Sequence, residues 1–94
     1  MPSVCRLNDL CTGHGAFPPR PNIAASSDVF VNGRGAHRVG DAWAVHCDPD
    51  TCHGSVLAAG SRTVYVNGRQ LGRIGDAVAC GSRVATGSAD VFAG

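Results

Sequence analysis

The segment VFVNGRGAHRVGDA, from Val29 to Ala42, recurs as VYVNGRQLGRIGDA, from Val64 to Ala77, at a constant offset of 35 residues. Asn32-Gly33 falls on Asn67-Gly68, and Gly40-Asp41 falls on Gly75-Asp76. A third copy is divided between the ends of the chain. Gly87-Ser88-Ala89-Asp90-Val91-Phe92 matches Gly60-Ser61-Arg62-Thr63-Val64-Tyr65, while Val4-Cys5-Arg6-Leu7-Asn8-Asp9 matches Ala36-His37-Arg38-Val39-Gly40-Asp41. A repeat split in this way requires the termini to meet. The simplest closure is three units around one axis, with pseudo-threefold symmetry. An open solenoid would need at least three full repeats and capping ends.

Each unit reads as a β-hairpin. Val29-Phe30-Val31 and Val64-Tyr65-Val66 are β-branched or aromatic and run into Asn-Gly, the dipeptide suited to a two-residue type I′ turn. In the split copy, Phe92-Ala93-Gly94 stops where the turn belongs, and Pro2 starts the partner strand. Lys and Glu are absent and Gly is abundant, which disfavours long surface helices. The expected fold is mainly β: a compact cone of three β-hairpin repeats with few or no helices, in one domain spanning residues 1–94. Three short hairpins build only a shallow core, so a further constraint is expected. A net charge of +1 disfavours a dedicated nucleic-acid binder. No apolar run approaches the ~20 residues of a membrane span, and the first residues show no signal-peptide pattern.

Five Cys cannot complete a disulfide framework within one chain, and with four His a metal site is the better expectation. His53-Gly54-Ser55 aligns without a gap on Cys80-Gly81-Ser82, and His14-Gly15 opens the longer lead of the first unit. His46 follows Asp41 at the spacing with which His14 follows Asp9. Closure would therefore gather His14, His46, His53 and Cys80. Three imidazoles and one thiolate suit a closed, tetrahedral structural Zn²⁺ site, whereas a catalytic zinc keeps a position for water. A small zinc-dependent hydrolase using His14, His46 and His53 is the rival function.

The remaining candidates receive plainer readings. His37 is expected to point outward from its strand. Cys47 and Cys52 are expected as free thiols in a reducing compartment, with a disulfide or the replacement of a neighbouring His as alternatives. Cys11 shares that ambiguity, and Cys5 packs as an apolar side chain. Asp9, Asp41 and Asp76 recur beside turns, which favours turn-stabilising or Arg-pairing roles over catalysis. Asp48 and Asp50 lack the further ligands of a calcium loop. Phe17-Pro18-Pro19-Arg20-Pro21 reads as a rigid surface loop more than a recognition segment.

The sequence resembles the PAAR-repeat family, the conical tips of contractile injection machines. The Pro-Ala-Ala-Arg tetrapeptide is degenerate here: Gly35-Ala36-His37-Arg38, Gln70-Leu71-Gly72-Arg73 and Ser3-Val4-Cys5-Arg6 keep only its Arg. The surrounding pattern matches better: Val-Asn-Gly-Arg, then Arg-x-Gly-Asp, with Cys11-Thr12-Gly13-His14-Gly15 and Cys52-His53-Gly54. The resemblance implies a β-rich cone with zinc near its apex, held by three His and one Cys. It implies a base seated on a trimeric β-helical spike, one chain per trimer, in type VI secretion or a phage tail. It further implies attached effector proteins as partners, transient contact with a target membrane, and assembly in the bacterial cytoplasm followed by ejection. This chain would be a bare tip without a fused effector. Val29–Val31, Val64–Val66 and Val91–Phe92 are the candidate docking strands, because an open trimer end leaves strand edges that need covering.

Overall fold

Both Asn-Gly dipeptides form the tight turns their chemistry allows. Asn32 and Gly33 have φ of 54° and 76°, and Asn67 and Gly68 have 53° and 77°, as a type I′ turn requires. In the computed structural model, which describes residues 1–94, these turns join β1 (Phe30–Val31) to β2 (Arg34–Gly35) and β5 (Tyr65–Val66) to β6 (Arg69–Gln70). A longer antiparallel pair lies between them, β3 (Ala42–Cys47) with β4 (Cys52–Val56). That third hairpin lies in the lead that carries His46 and His53, outside the three expected units. There is no helix. The molecule is longer than it is wide, 38 × 24 × 22 Å.

The chain ends complete the remaining unit. Val4 N–H donates to the Val91 carbonyl, as Ala36 does to Val29 and Leu71 to Val64. Ala93 N–H donates to Pro2, and Ser3 bridges Phe92. The termini thus meet as an interrupted hairpin.

Only 7 of the 41 backbone–backbone hydrogen bonds lie within strands. The other 34 lie in turns, loops and bridges, and those that join one unit to another run cyclically. Cys5 N–H donates to the Gly72 carbonyl at 2.8 Å, Gly72 N–H to His37 at 2.8 Å, and His37 N–H to Cys5 at 3.1 Å. Arg6 bridges Ala36, Arg38 bridges Leu71, and Arg73 bridges Val4. Asn22 with Trp43, Leu57 with Val78 and Val84 with Cys11 repeat the pattern further along.

Successive residues of an extended chain face opposite ways, so this ring separates two cores. Val4, Ala36 and Leu71 join Val66, Ala93 and the partly buried Val31 in one cluster. Cys5 joins Cys11, Trp43, Leu57, Val78 and Val84 in the other, with Cys80 packed against it. His37 also faces this second core, completely buried, contrary to the expected outward orientation. It occupies the ring position of Cys5 and Gly72, where the closing units leave no path to solvent. The space is tight, since a Cβ on Gly72 would lie 2.7 Å from Leu57 and 3.1 Å from the His37 carbonyl oxygen. Cys5 packs as the apolar side chain the sequence suggested.

The repeated acids do pair with Arg. Asp9, Asp41 and Asp76 each accept from the backbone N–H and the guanidinium of Arg6, Arg38 and Arg73 respectively. Arg34 and Arg69 add a second guanidinium to Asp9 and Asp41. Burial opposes ionisation of Asp9 and Asp41, but these donors outweigh it and hold both carboxyls below the usual range.

His37 Nδ1–H donates to the Ala24 carbonyl at 2.7 Å, and its Nε2 has no partner. Burial lowers its pKa below the ordinary value, outweighing the Ala24 bond. The folded protein therefore keeps His37 neutral, whereas the unfolded chain takes up a proton below pH ~6.5. The stability this contributes is full above that pH and is lost as the pH falls below it. Denaturant midpoints should decline more steeply over that range for the parent than for His37→Leu. Parallel declines would show that His37 is not held neutral by burial.

Candidate metal centre

Three turns deliver the candidate donors. His46 sits near the end of β3 and His53 near the start of β4, directly opposite each other in the register. Trp43 and His46 are an odd number of residues apart, so regular alternation would send them to opposite faces. An irregularity between them lets both turn inward, where each is buried. His14 lies on a tight turn closed by reciprocal hydrogen bonds with Phe17. Gly13 precedes it at φ 72°, where a Cβ would lie 2.5 Å from the Phe17 carbonyl oxygen. Cys80 lies in the turn closed by Gly81 N–H to the Val78 carbonyl.

The four side chains converge as the repeat alignment anticipated. One donor atom from each of His14, His46, His53 and Cys80 lies within 4.8 Å of the others. His46 Nε2 and His53 Nε2 are 2.7 Å apart, and His14 Nε2 and His53 Nε2 are 3.1 Å apart. His46 Nδ1 lies 2.8 Å from the Pro18 carbonyl, which can only accept, so its proton sits on Nδ1 and its Nε2 lone pair faces inward. A neutral His53 can donate to only one of its two neighbours. Three facing imidazole nitrogens beside a thiol are therefore incompletely satisfied by one another. A cation that accepts all the lone pairs fits the arrangement, and the donor set suits a tetrahedral N/S site.

Burial opposes ionisation of Cys80, but the Ser82 N–H, the Arg20 guanidinium, the Ser82 hydroxyl and His53 outweigh it, bringing its pKa down to about 5. The thiolate is the ligand form of cysteine. Cys11 lies outside the converging set: its Sγ accepts from Arg20 Nη1 at 3.0 Å and from the Arg20 backbone at 3.5 Å.

The Pro-rich segment keeps Pro18 and Pro19 exposed, as expected of a surface loop, but the residues on either side of them turn inward. Arg20 is buried, and Phe17 packs on all three imidazoles, with ring centroids 4.8 Å from His14, 5.0 Å from His46 and 4.3 Å from His53. Its composition gave no hint of this contact, since His46 and His53 lie on a separate hairpin.

Cys47 and Cys52 form a disulfide, which corrects the expectation of free thiols. They are register partners beside the His46–His53 pair, with Cα atoms 4.0 Å apart, so β3–β4 pairing brings the sulfurs together. The bond also removes both cysteines as rivals for the metal. Alkylation of the unfolded, unreduced chain should label three cysteines, Cys5, Cys11 and Cys80, and all five after reduction. Five labels without reduction would contradict the bond.

The family model described as PAAR motif matches residues 12–92, and the chain belongs to that family. No curated protein matches the sequence.

Proposed function

We propose that this PAAR-motif protein is a structural tip that caps and sharpens the trimeric β-helical spike of a contractile injection machine. His14, His46, His53 and Cys80 would hold one structural Zn²⁺ near its apex. The observation that carries the docking role is the exposure of one bulky apolar residue at the same position of each unit. Phe30, Tyr65 and Phe92 are 59%, 56% and 49% exposed. They flank Val31, Val66 and Ala93, which belong to the core away from the metal centre. Three matched apolar positions on a cyclically bonded chain suit a platform built from three identical subunits, and docking would bury them.

The donor set supports a structural metal in preference to a catalytic one. Four protein ligands complete a tetrahedral zinc and leave no position for water. Such a metal contributes folding free energy directly, on the order of 10 kcal/mol in small zinc domains. Effector attachment, assembly in the cytoplasm and ejection toward a target membrane belong to the same reading. The Cys47–Cys52 bond is compatible with it, closing once the tip reaches an oxidising compartment.

Purified protein should carry one zinc per chain, and His14→Ala and Cys80→Ser should lose the metal and melt at lower temperature. Parent protein that purifies without stoichiometric zinc, and variants that melt at the parent's temperature, would refute the site. With a β-helical spike trimer, native mass spectrometry should find one chain per trimer. Phe30→Asp combined with Tyr65→Asp should abolish that complex while zinc content is kept. Three chains per trimer, or unchanged binding by the double variant, would refute the docking mode.

A further inference from the structure

The five ion pairs of this protein use Arg6, Arg34, Arg38, Arg69 and Arg73, each with an aspartate. Arg20 takes part in none of them, although it is only 5% exposed. A buried cation without a carboxylate partner is costly, so the partners of Arg20 show what it serves. Its Nε donates to the Ala44 carbonyl at 2.7 Å, and its guanidinium lies over the Trp43 ring, 5.5 Å from the centroid. Nη1 reaches Cys11 Sγ at 3.0 Å, and Nη2 reaches Cys80 Sγ at 3.5 Å. The planar fork thus spans two sulfurs, one in the core and one in the metal centre.

We infer that Arg20 is a positioning residue for the metal centre, fixing the Cys80 sulfur by a charge-assisted N–H···S bond while Cys11 and Ala44 fix the guanidinium. The inference rests on reading His14, His46, His53 and Cys80 as metal ligands. It also gives the Pro-rich segment a purpose. Within four residues, Phe17 covers the imidazoles, the Pro18 carbonyl sets the His46 tautomer, and Arg20 holds the cysteine. The segment is an outer shell wrapped around the donors, and proline limits its freedom before the metal arrives. Lys at position 20 would supply a charge without the fork that reaches both sulfurs.

Titration of the full chain with Co²⁺ tests this, because a cobalt–thiolate bond gives a charge-transfer absorption that reports the sulfur itself. The parent should bind one Co²⁺ with that absorption. Arg20→Met should still bind one ion, with the band displaced and affinity lowered about 10- to 100-fold, the usual cost of removing an outer-shell partner. Arg20→Lys, which keeps the buried cation should Arg20→Met fail to fold, should fall between them. Cys11→Ser, which frees one arm of the fork, should displace the band in the same direction. Parent-like affinity and spectrum in Arg20→Lys and Cys11→Ser, or in a folded Arg20→Met, would overturn the role of Arg20 and leave the ligand set standing. A parent protein that binds no Co²⁺, or binds it without a thiolate band, would overturn the ligand set and the role of Arg20 with it.

Discussion

Three backbone hydrogen bonds, Cys5 to Gly72, Gly72 to His37 and His37 to Cys5, close a ring that ties residues distant in sequence. Each amide donates to one neighbour while its carbonyl accepts from the other, so the ring forms only when all three units are present. Strands of two residues could not hold a sheet by themselves, because an isolated hairpin is at best marginal in water. Here each short hairpin finds its remaining partners in the adjacent unit. The buried Arg–Asp turns fix where each returning strand ends and the next lead begins, using charge-assisted bonds in place of a large apolar core.

The candidate metal centre follows from that closure. His14 and His46 stand at one repeat position, five residues after Asp9 and Asp41; His53 and Cys80 stand at another, eleven before Val64 and Val91. Cyclic bonding that brings equivalent backbones together brings these donors together as well. Gly81 occupies the third copy of the first position and Pro18 the third copy of the second. Neither supplies a side-chain donor, so four converging donors result from six places. Both still touch the site: a Cβ on Gly81 would lie 3.9 Å from the His14 ring, and the Pro18 carbonyl accepts from His46. The PAAR-motif repeat has thus diverged into donors and their supports. The same periodicity presents Phe30, Tyr65 and Phe92 beside the other core. One repeat therefore supplies both a cluster of donor side chains and an apolar face.

Much of this was legible in the residues. Asn-Gly specifies the tight turns because both central residues tolerate positive φ, and the structure shows that geometry. The split repeat required the termini to pair, and Val4 and Val91 do. The four donors could be found by alignment, since equivalent positions of a closed repeat share an environment. His46 and His53 were read without their hairpin, however, because the lead contains no alternating pattern that marks a strand pair. His37 looked like a surface residue although its copy Cys5 was expected to pack, because a polar imidazole is less often fully buried than a small apolar side chain. Cys47 and Cys52 carried three readings until their register was known.

The sequence by itself determined the number of units, their turns, the meeting of the chain ends and the four residues that converge. Those features depend on local dihedral preference and on repetition, both of which are written along the chain. Only the tertiary structure decided which face each side chain took, that Cys47 bonds to Cys52, and that Arg20 reaches two sulfurs. These depend on a bulge, a register and the approach of separate turns, and a change of one residue in pairing reverses the face of a strand. Contacts of that kind exist only once the ring has closed.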